Sequence, residues 1–257
     1  MRTEQLVHRT LPLALAWPLL QLLLLALGVI SLGWNLIALV LHPLLPREPG
    51  LRIGRAGIAR GYRLFWAVAR ASGLLHMDAS VLRSLADERG LVIVANHPSL
   101  LDALMLVAQL PRSACVMKAS LMRNPFLGPG ARLARYIRND SPRQMVRLAI
   151  DDLRAGGQLV MFPEGTRTTR APLNAFQPGF ALIARRAGVA VQTVFIDTTS
   201  PYLGKGWPLW RLPPLPIEFS VRLGRRFEPL PDVAATVQEI ERYMAANVRP
   251  LPPRTGS

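Results

Sequence analysis

The longest apolar run comes first. From Leu11 to Leu41 the chain carries no charged residue, and only Gln21, Ser31 and Asn35 interrupt it as polar side chains. As one helix this run would measure about 46 Å, against a bilayer hydrocarbon core of about 30 Å. Two full spans would need about 40 residues, so two do not fit. Either one tilted, kinked helix crosses the membrane, or a helical hairpin dips into one leaflet and returns, with Gly28, Ser31 and Gly33 offering the bend. The run is too long for the apolar part of a cleaved signal peptide. Leu51–Arg70 then mixes arginines with Ile53, Ile58, Leu64, Phe65, Trp66 and Val68. That pattern predicts a helix lying along lipid headgroups, apolar side inward, or else an ordinary domain-surface helix.

Beyond residue 80 the period changes repeatedly. A short helix over Ser80–Leu85 precedes the buried strand Leu91–Ala95, and Leu100–Gln109 is helical up to Pro111. Ala114–Met117 reads as a strand ending at Lys118, residues 122–130 as a turn-rich loop, and Tyr136-Ile137 as a short strand. Ser141-Pro142 supplies an N-cap and first-turn proline for a helix that Gly156 or Gly157 ends. Strand Gln158–Phe162, a loop to about Gln177, helix Pro178–Ala187 and strand Val189–Ile196 follow. Residues 199–216 form a loop rich in Pro, Gly and Trp, and loops of that length are often functional. Ile217–Leu223 alternates as a half-exposed strand, and Asp232–Asn247 has helical spacing. Strand and helix in alternation predict an α/β layered sheet with flanking helices, behind an N-terminal membrane-embedded helical segment. The expected division is a membrane anchor over 1–46, a catalytic domain over 47–248 and a disordered tail over 249–257.

Composition sharpens this picture. The net charge is +15, which favours anionic surfaces such as phospholipid headgroups or an acidic carrier protein. Of the 31 lysines and arginines only Lys118 and Lys205 are lysine, which marks them as positions suited to a compact point charge. Arg47, Arg52, Arg55, Arg60 and Arg63 outweigh Arg2 and Arg9 across the apolar run, which places the rest of the chain on the cytoplasmic face. With the single cysteine, Cys115, no intramolecular disulfide forms, and the scattered His8, His42, His76 and His97 offer no metal-ligand spacing. The apolar anchor and the lack of an aromatic-basic recognition motif argue against a nucleic-acid partner.

The candidate chemistry sits at two strand-to-loop junctions. LVIVANHPSLLD, Leu91–Asp102, ends a buried strand at Asn96, presents His97, turns on Pro98-Ser99 and enters a helix with Asp102. Ser99 and Asp102 also fit a capping box, so the stretch alone describes a capped helix start beside an incidental histidine equally well. On a continuous helix a five-residue offset would set His97 and Asp102 about 140° apart, so they meet only if His97 lies in the turn before it. Pro98 favours that turn. LVMFPEGTR, Leu159–Arg167, is the second junction. In a mostly parallel sheet both loops and Lys118 would share one edge.

Together, NHPSLLD and FPEGTR in this order resemble the glycerolphosphate and lysophosphatidate acyltransferases, the 1-acyl-sn-glycerol-3-phosphate acyltransferase type, over roughly Gly61–Leu230. The resemblance implies an O-acyltransferase with His97 as general base, Asp102 as its orienter and no acyl-enzyme. It implies acyl-CoA or acyl-acyl carrier protein as co-substrate, and no other cofactor. Some such enzymes carry a two-helix anchor lying in one leaflet. Asn96, Ser99, Lys118, Arg138, Glu164, Gly165, Thr166 and Arg167 become substrate-binding candidates. Arg167 would clamp phosphate, Gly165 would admit the ligand to the backbone, and Glu164 would orient the acceptor hydroxyl or Arg167. A Ser99-His97-Asp102 triad is disfavoured because the three residues are too close in sequence for that geometry. Val191-Gln192-Thr193-Val194 replaces the family's proline-containing strand, and the Gly-Lys-Gly-Trp loop is not general. The segment Lys118–Asp140 also has Ile-Arg-Asn where many members end differently, and together these departures point to an acceptor lipid other than lysophosphatidate. The resulting expectation is a membrane enzyme, on the cytoplasmic face of a bacterial inner membrane. The alternatives are a thioester hydrolase on the same pair, or a non-catalytic protein that binds anionic lipid. The oligomeric state stays open.

Overall fold

The computed structural model describes residues 13–252. Arg2, Arg9 and the end of the expected tail lie outside the described residues. Seven strands form one sheet: β1 (Leu75–Asp78), β2 (Leu91–Ala95), β3 (Ser113–Met117), β4 (Ile137–Arg138), β5 (Gln158–Met161), β6 (Val191–Thr198) and β7 (Ile217–Phe227). Their order is β1-β7-β6-β2-β5-β3-β4. The five strands β6, β2, β5, β3 and β4 are mutually parallel, while β7 runs antiparallel to β6 and parallel to β1. The C-terminal ends of the five therefore line one edge.

Alternation within β2 explains the layering. Leu91, Ile93 and Ala95 join an apolar core on one face, and Val92 and Val94 join a second core on the other. The first core lies under α1 (Leu13–Leu44), α2 (Arg47–Ala71) and α3 (Asp102–Gln109). The second lies under α5 (Pro142–Arg154), α6 (Gly179–Ala187) and α7 (Val233–Asn247). Caps set these helices, at Ser141 as expected. Ser141 accepts from the Gln144 N–H at the start of α5, Asp232 accepts from the Ala234 and Ala235 N–H groups of α7, and Gly188 ends α6 at φ +70°.

The N-terminal helix departs from one expectation. It runs unbroken for 32 residues, straight through Gly28, Ser31 and Gly33. Its window Leu15–Leu44 is long and apolar enough to cross a membrane, with a mean hydropathy of 2.3. Yet it packs along the domain: Ala16, Leu20, Leu23, Asn35 and Ala38 are buried, while Leu22, Leu25, Val29, Leu36 and Val40 are exposed. Asn35 is the polar tie. Its amide donates to the Phe126 carbonyl at 2.7 Å and its oxygen accepts the Gly130 N–H at 2.7 Å, joining α1 to α4 (Gly128–Leu133). The chain reverses at Leu45-Pro46, and α2 returns against α1. The apolar side of α2 packs into protein through Ile58, Phe65, Trp66 and Ala69 rather than into headgroups. Gly54 and Gly57 permit this approach, because the Ala134 backbone and the Trp34 ring occupy the space their side chains would take.

Arg55 is a buried cation, 4% exposed. It donates to the carbonyls of Ala134 and Arg112 and pairs with Asp152 at 2.7 Å. Removing one partner of such a pair leaves the other uncompensated. Arg55→Met is expected to lower unfolding free energy by about 3 kcal/mol in chemical denaturation, and Arg55→Met with Asp152→Leu to recover part of that loss.

Candidate active site

The catalytic candidates stand at the shared strand edge. Asn96 follows β2 directly and bridges to β6, its amide donating to the Ile196 carbonyl at 2.8 Å and its oxygen accepting the Ile196 N–H at 2.7 Å. It is 1% exposed and extends the β2–β6 pairing by one side chain. The strand therefore ends in a fixed place, and His97 begins the turn.

The His97 Nδ1 lies 2.8 Å from Asp102 Oδ2, and the same oxygen accepts the Ser99 N–H at 2.8 Å. The expected capping box forms only in part. Asp102 reaches back to the Ser99 amide, but α3 starts at Asp102 itself, and the Ser99 hydroxyl accepts the Leu101 N–H at 3.3 Å while donating to the Tyr202 carbonyl at 3.0 Å. Asp102 is wholly buried, whereas the His97 side chain is 17% exposed. Substrate can reach the imidazole but not the carboxylate. Burial raises the Asp102 carboxyl above its ordinary range, opposed by hydrogen bonds from His97 and Ser99; the nearby Glu164 adds to the rise. A carboxylate that accepts Nδ1–H leaves Nε2 bare to take a proton. The ring of Phe162 stacks on the imidazole, centroids 4.0 Å apart and planes 18° apart, and limits its rotation.

The second loop meets the first through Glu164, which is 5% exposed. Glu164 Oε1 accepts the His97 N–H at 3.1 Å and the Thr168 hydroxyl at 2.7 Å, and Oε2 accepts the Asn174 N–H at 2.9 Å. The Thr168 N–H in turn donates to the His97 carbonyl at 2.8 Å. The geometry makes Glu164 a brace between the two loops, where the sequence suggested contact with substrate or Arg167. Gly165 turns the chain at φ +68°, a conformation that disfavours any side chain. Arg167 Nη1 donates to the carbonyls of Leu203 and Gly204 at 2.7 and 3.1 Å. In Glu164→Gln an amide NH2 would face one of these inward-pointing donors. That variant is expected to lose about 1–3 kcal/mol of stability in denaturant unfolding, with slower turnover as the loops separate.

Lys118 and Arg138 end β3 and β4 on the same edge, two and three strands from β2. Among the described residues, no hydrogen bond or ion pair links either to the His97–Glu164 cluster. Arg138 pairs with Asp140 and lines a separate cavity of about 800 Å³ with Arg52, Arg135 and Asp152. Sequence reasoning missed Phe162, Thr168 and Asn174 as parts of the site. Phe162 was signalled by its place in FPEGTR; Thr168 and Asn174 act through contacts that no spacing announces. Among the described residues, no group of three or more His, Cys, Asp or Glu side chains gathers as a metal site.

Residues 77–197 match the family model described as Acyltransferase. The lyso-ornithine lipid O-acyltransferase of Pseudomonas aeruginosa is 32% identical over 69% of this chain and 71% of its own length. The chain belongs to the acyltransferase family. The 1-acyl-sn-glycerol-3-phosphate acyltransferase of Limnanthes douglasii is 26% identical over 84% of the chain and 74% of that protein. Among solved structures, the 1-acyl-sn-glycerophosphate (LPA) acyltransferase PlsC of Thermotoga maritima shares the fold, with a TM-score of 0.68 at 19% identity over 91% of this chain and 94% of that one. The protein is thus an acyltransferase enzyme with the α/β architecture of that structure, and its own N-terminal apolar helix is a candidate membrane span.

Proposed function

We propose that this acyltransferase moves a fatty acyl group from a thioester donor to a hydroxyl of a lysophospholipid- or glycerolphosphate-type acceptor at a membrane surface. The observation that carries the proposal is the His97–Asp102 pair, with Nδ1 held at 2.8 Å and the ring edge open to solvent. Nε2 takes the proton of the acceptor hydroxyl as its oxygen attacks the thioester carbonyl. The tetrahedral intermediate then expels the thiolate, which receives the proton from the imidazolium. The products are an ester and a free thiol.

Two features support direct transfer without an acyl-enzyme. Ser99 is 1% exposed and its hydroxyl is bonded to the Tyr202 carbonyl. The one cysteine, Cys115, is buried, and its thiol is pushed up to about 12 by desolvation, so little thiolate exists at neutral pH. The donor is acyl-CoA or an acyl-acyl carrier protein, both anionic and suited to a chain of net charge +15.

The exposed apolar side of α1 supports membrane attachment. The exposed Leu209 and Trp210 extend that surface, held by Gln21 donating to the Leu209 carbonyl at 3.0 Å and Trp17 donating to the Trp210 carbonyl at 2.8 Å. In this reading α1 lies in the near leaflet of a bacterial inner membrane, and the exposed Arg47, Arg52, Arg60, Arg63 and Arg70 of α2 face the cytoplasmic headgroups. The test supplies membranes containing the enzyme with labelled acyl thioester and either lyso-ornithine lipid or 1-acyl-sn-glycerol-3-phosphate, and identifies products by mass. A labelled two-chain lipid is expected. Labelled free fatty acid as the sole product would instead assign a hydrolase.

A further inference from the structure

The loop over residues 199–216 is pinned to both catalytic loops. The Tyr202 carbonyl accepts the Ser99 hydroxyl, and the Leu203 carbonyl accepts both the Leu100 N–H at 3.0 Å and Arg167 Nη1 at 2.7 Å. Leu203 sits at φ +55°, a left-handed conformation that a branched residue rarely adopts, and Gly206 at φ +81°. Surrounding contacts must hold such a backbone in place. Here they hold the turn Leu203-Gly204-Lys205-Gly206 between the histidine loop and the Glu164–Arg167 loop. A Cβ on Gly204 would crowd the Pro201 carbonyl oxygen at 2.9 Å and would reach ordinary contact with the Pro98 carbonyl oxygen at 3.5 Å.

Within that turn, Lys205 Nζ rests 3.1 Å from Thr166 Oγ1. Thr166 is uncharged, and among the described residues no ion pair engages Lys205. An ammonium has three donors and here uses one on the chain. Arg167, the cation expected to clamp the acceptor, has one terminal nitrogen committed to two backbone carbonyls. The strained, multiply tethered turn therefore delivers a second cation to the same loop, one residue from the backbone that faces Pro98.

We infer that Lys205 is a specificity-determining residue: it binds the anionic group of the acceptor, a phosphate or a carboxylate, beside Arg167. The inference rests on the acyl-transfer reading above. A compact ammonium on a flexible stem accepts either anion, whereas a carboxylate-to-guanidinium fork would demand one geometry.

The test measures wild type, Lys205→Met and Lys205→Arg with one labelled thioester and three acceptors: 1-acyl-sn-glycerol-3-phosphate, lyso-ornithine lipid and uncharged 1-acylglycerol. Wild-type transfer is read first; no product from any acceptor would overturn the acyl-transfer reading and this inference with it. Given transfer, Lys205→Met is expected to raise KM about tenfold for whichever anionic acceptor the enzyme prefers. Donor KM and kcat should stay within about twofold, and Lys205→Arg should restore most of the affinity. The preferred anionic acceptor distinguishes phosphate from carboxylate. An unchanged acceptor KM, an equal rise for uncharged 1-acylglycerol, or a rise confined to the donor would overturn the assignment while leaving the acyl-transfer reading in place.

Discussion

His97→Ala is expected to reduce acyl transfer by about a thousandfold or more toward every acceptor, as loss of a positioned general base requires. The alcohol then has no base within reach, and among the described residues none replaces Nε2 at that edge. The fold should persist, because the imidazole is partly exposed and its removal leaves both cores intact. Some stability is lost even so. Asp102 keeps the Ser99 N–H but loses the His97 donor and the offset it gives to a buried charge. A decrease of about 1–3 kcal/mol is expected in denaturant unfolding. A variant retaining a tenth or more of parental turnover would remove His97 from the chemistry.

Asp102→Asn is expected to separate activity from stability. Turnover falls by about 10²–10⁴-fold. Asp102 Oδ2 takes both donors, so an asparagine oxygen in its place keeps the Ser99 N–H and the Nδ1–H, while the amide NH2 fills the buried Oδ1 position, where no partner waits. The neutral amide no longer offsets the charge of the imidazolium that forms when Nε2 takes the acceptor proton. Stability moves the other way. Burial holds the folded carboxyl above its ordinary range, so the unfolded chain ionises more readily than the native one. Ionised Asp102 therefore costs stability, and this penalty grows as pH rises from the ordinary carboxylate range through the raised value. Thermal melting should show Asp102→Asn equal to or more stable than the parent at neutral pH, with the difference vanishing in acid. A variant less stable at pH 7 than in acid, relative to the parent, would contradict that sign.

Most of this site was legible in the chain because its signals are local. Leu91–Ala95 and Gln158–Met161 announce themselves as buried runs, and His97, Glu164 and Arg167 follow within a few residues. Pro98 fixed the turn that lets an imidazole meet a carboxylate five positions away. What escaped is non-local or short. The strand Leu75–Asp78 is four residues long, too brief to show alternation, and exists by pairing with Ile217–Ser220. The Gly-Pro-Gly of residues 128–130 reads as a turn, yet it opens α4 because α1 and α2 pack against it and Asn35 bonds the Gly130 amide. Glu164 looked like a ligand-facing carboxylate; three inward donors, one of them from Asn174 ten residues on, decide otherwise. Lys205 stood out only as a rare lysine, and its place beside Thr166 depends on a tertiary clamp by Arg167.

Direct transfer from thioester to alcohol is tested most simply by withholding the alcohol. Purified enzyme incubated with labelled acyl thioester alone should leave the thioester intact and carry no covalent label after denaturation and gel separation. Adding the lysolipid should then convert the label to a two-chain lipid at the full steady-state rate. Label retained on the denatured protein before the acceptor is added, and chased into product by it, would contradict the account.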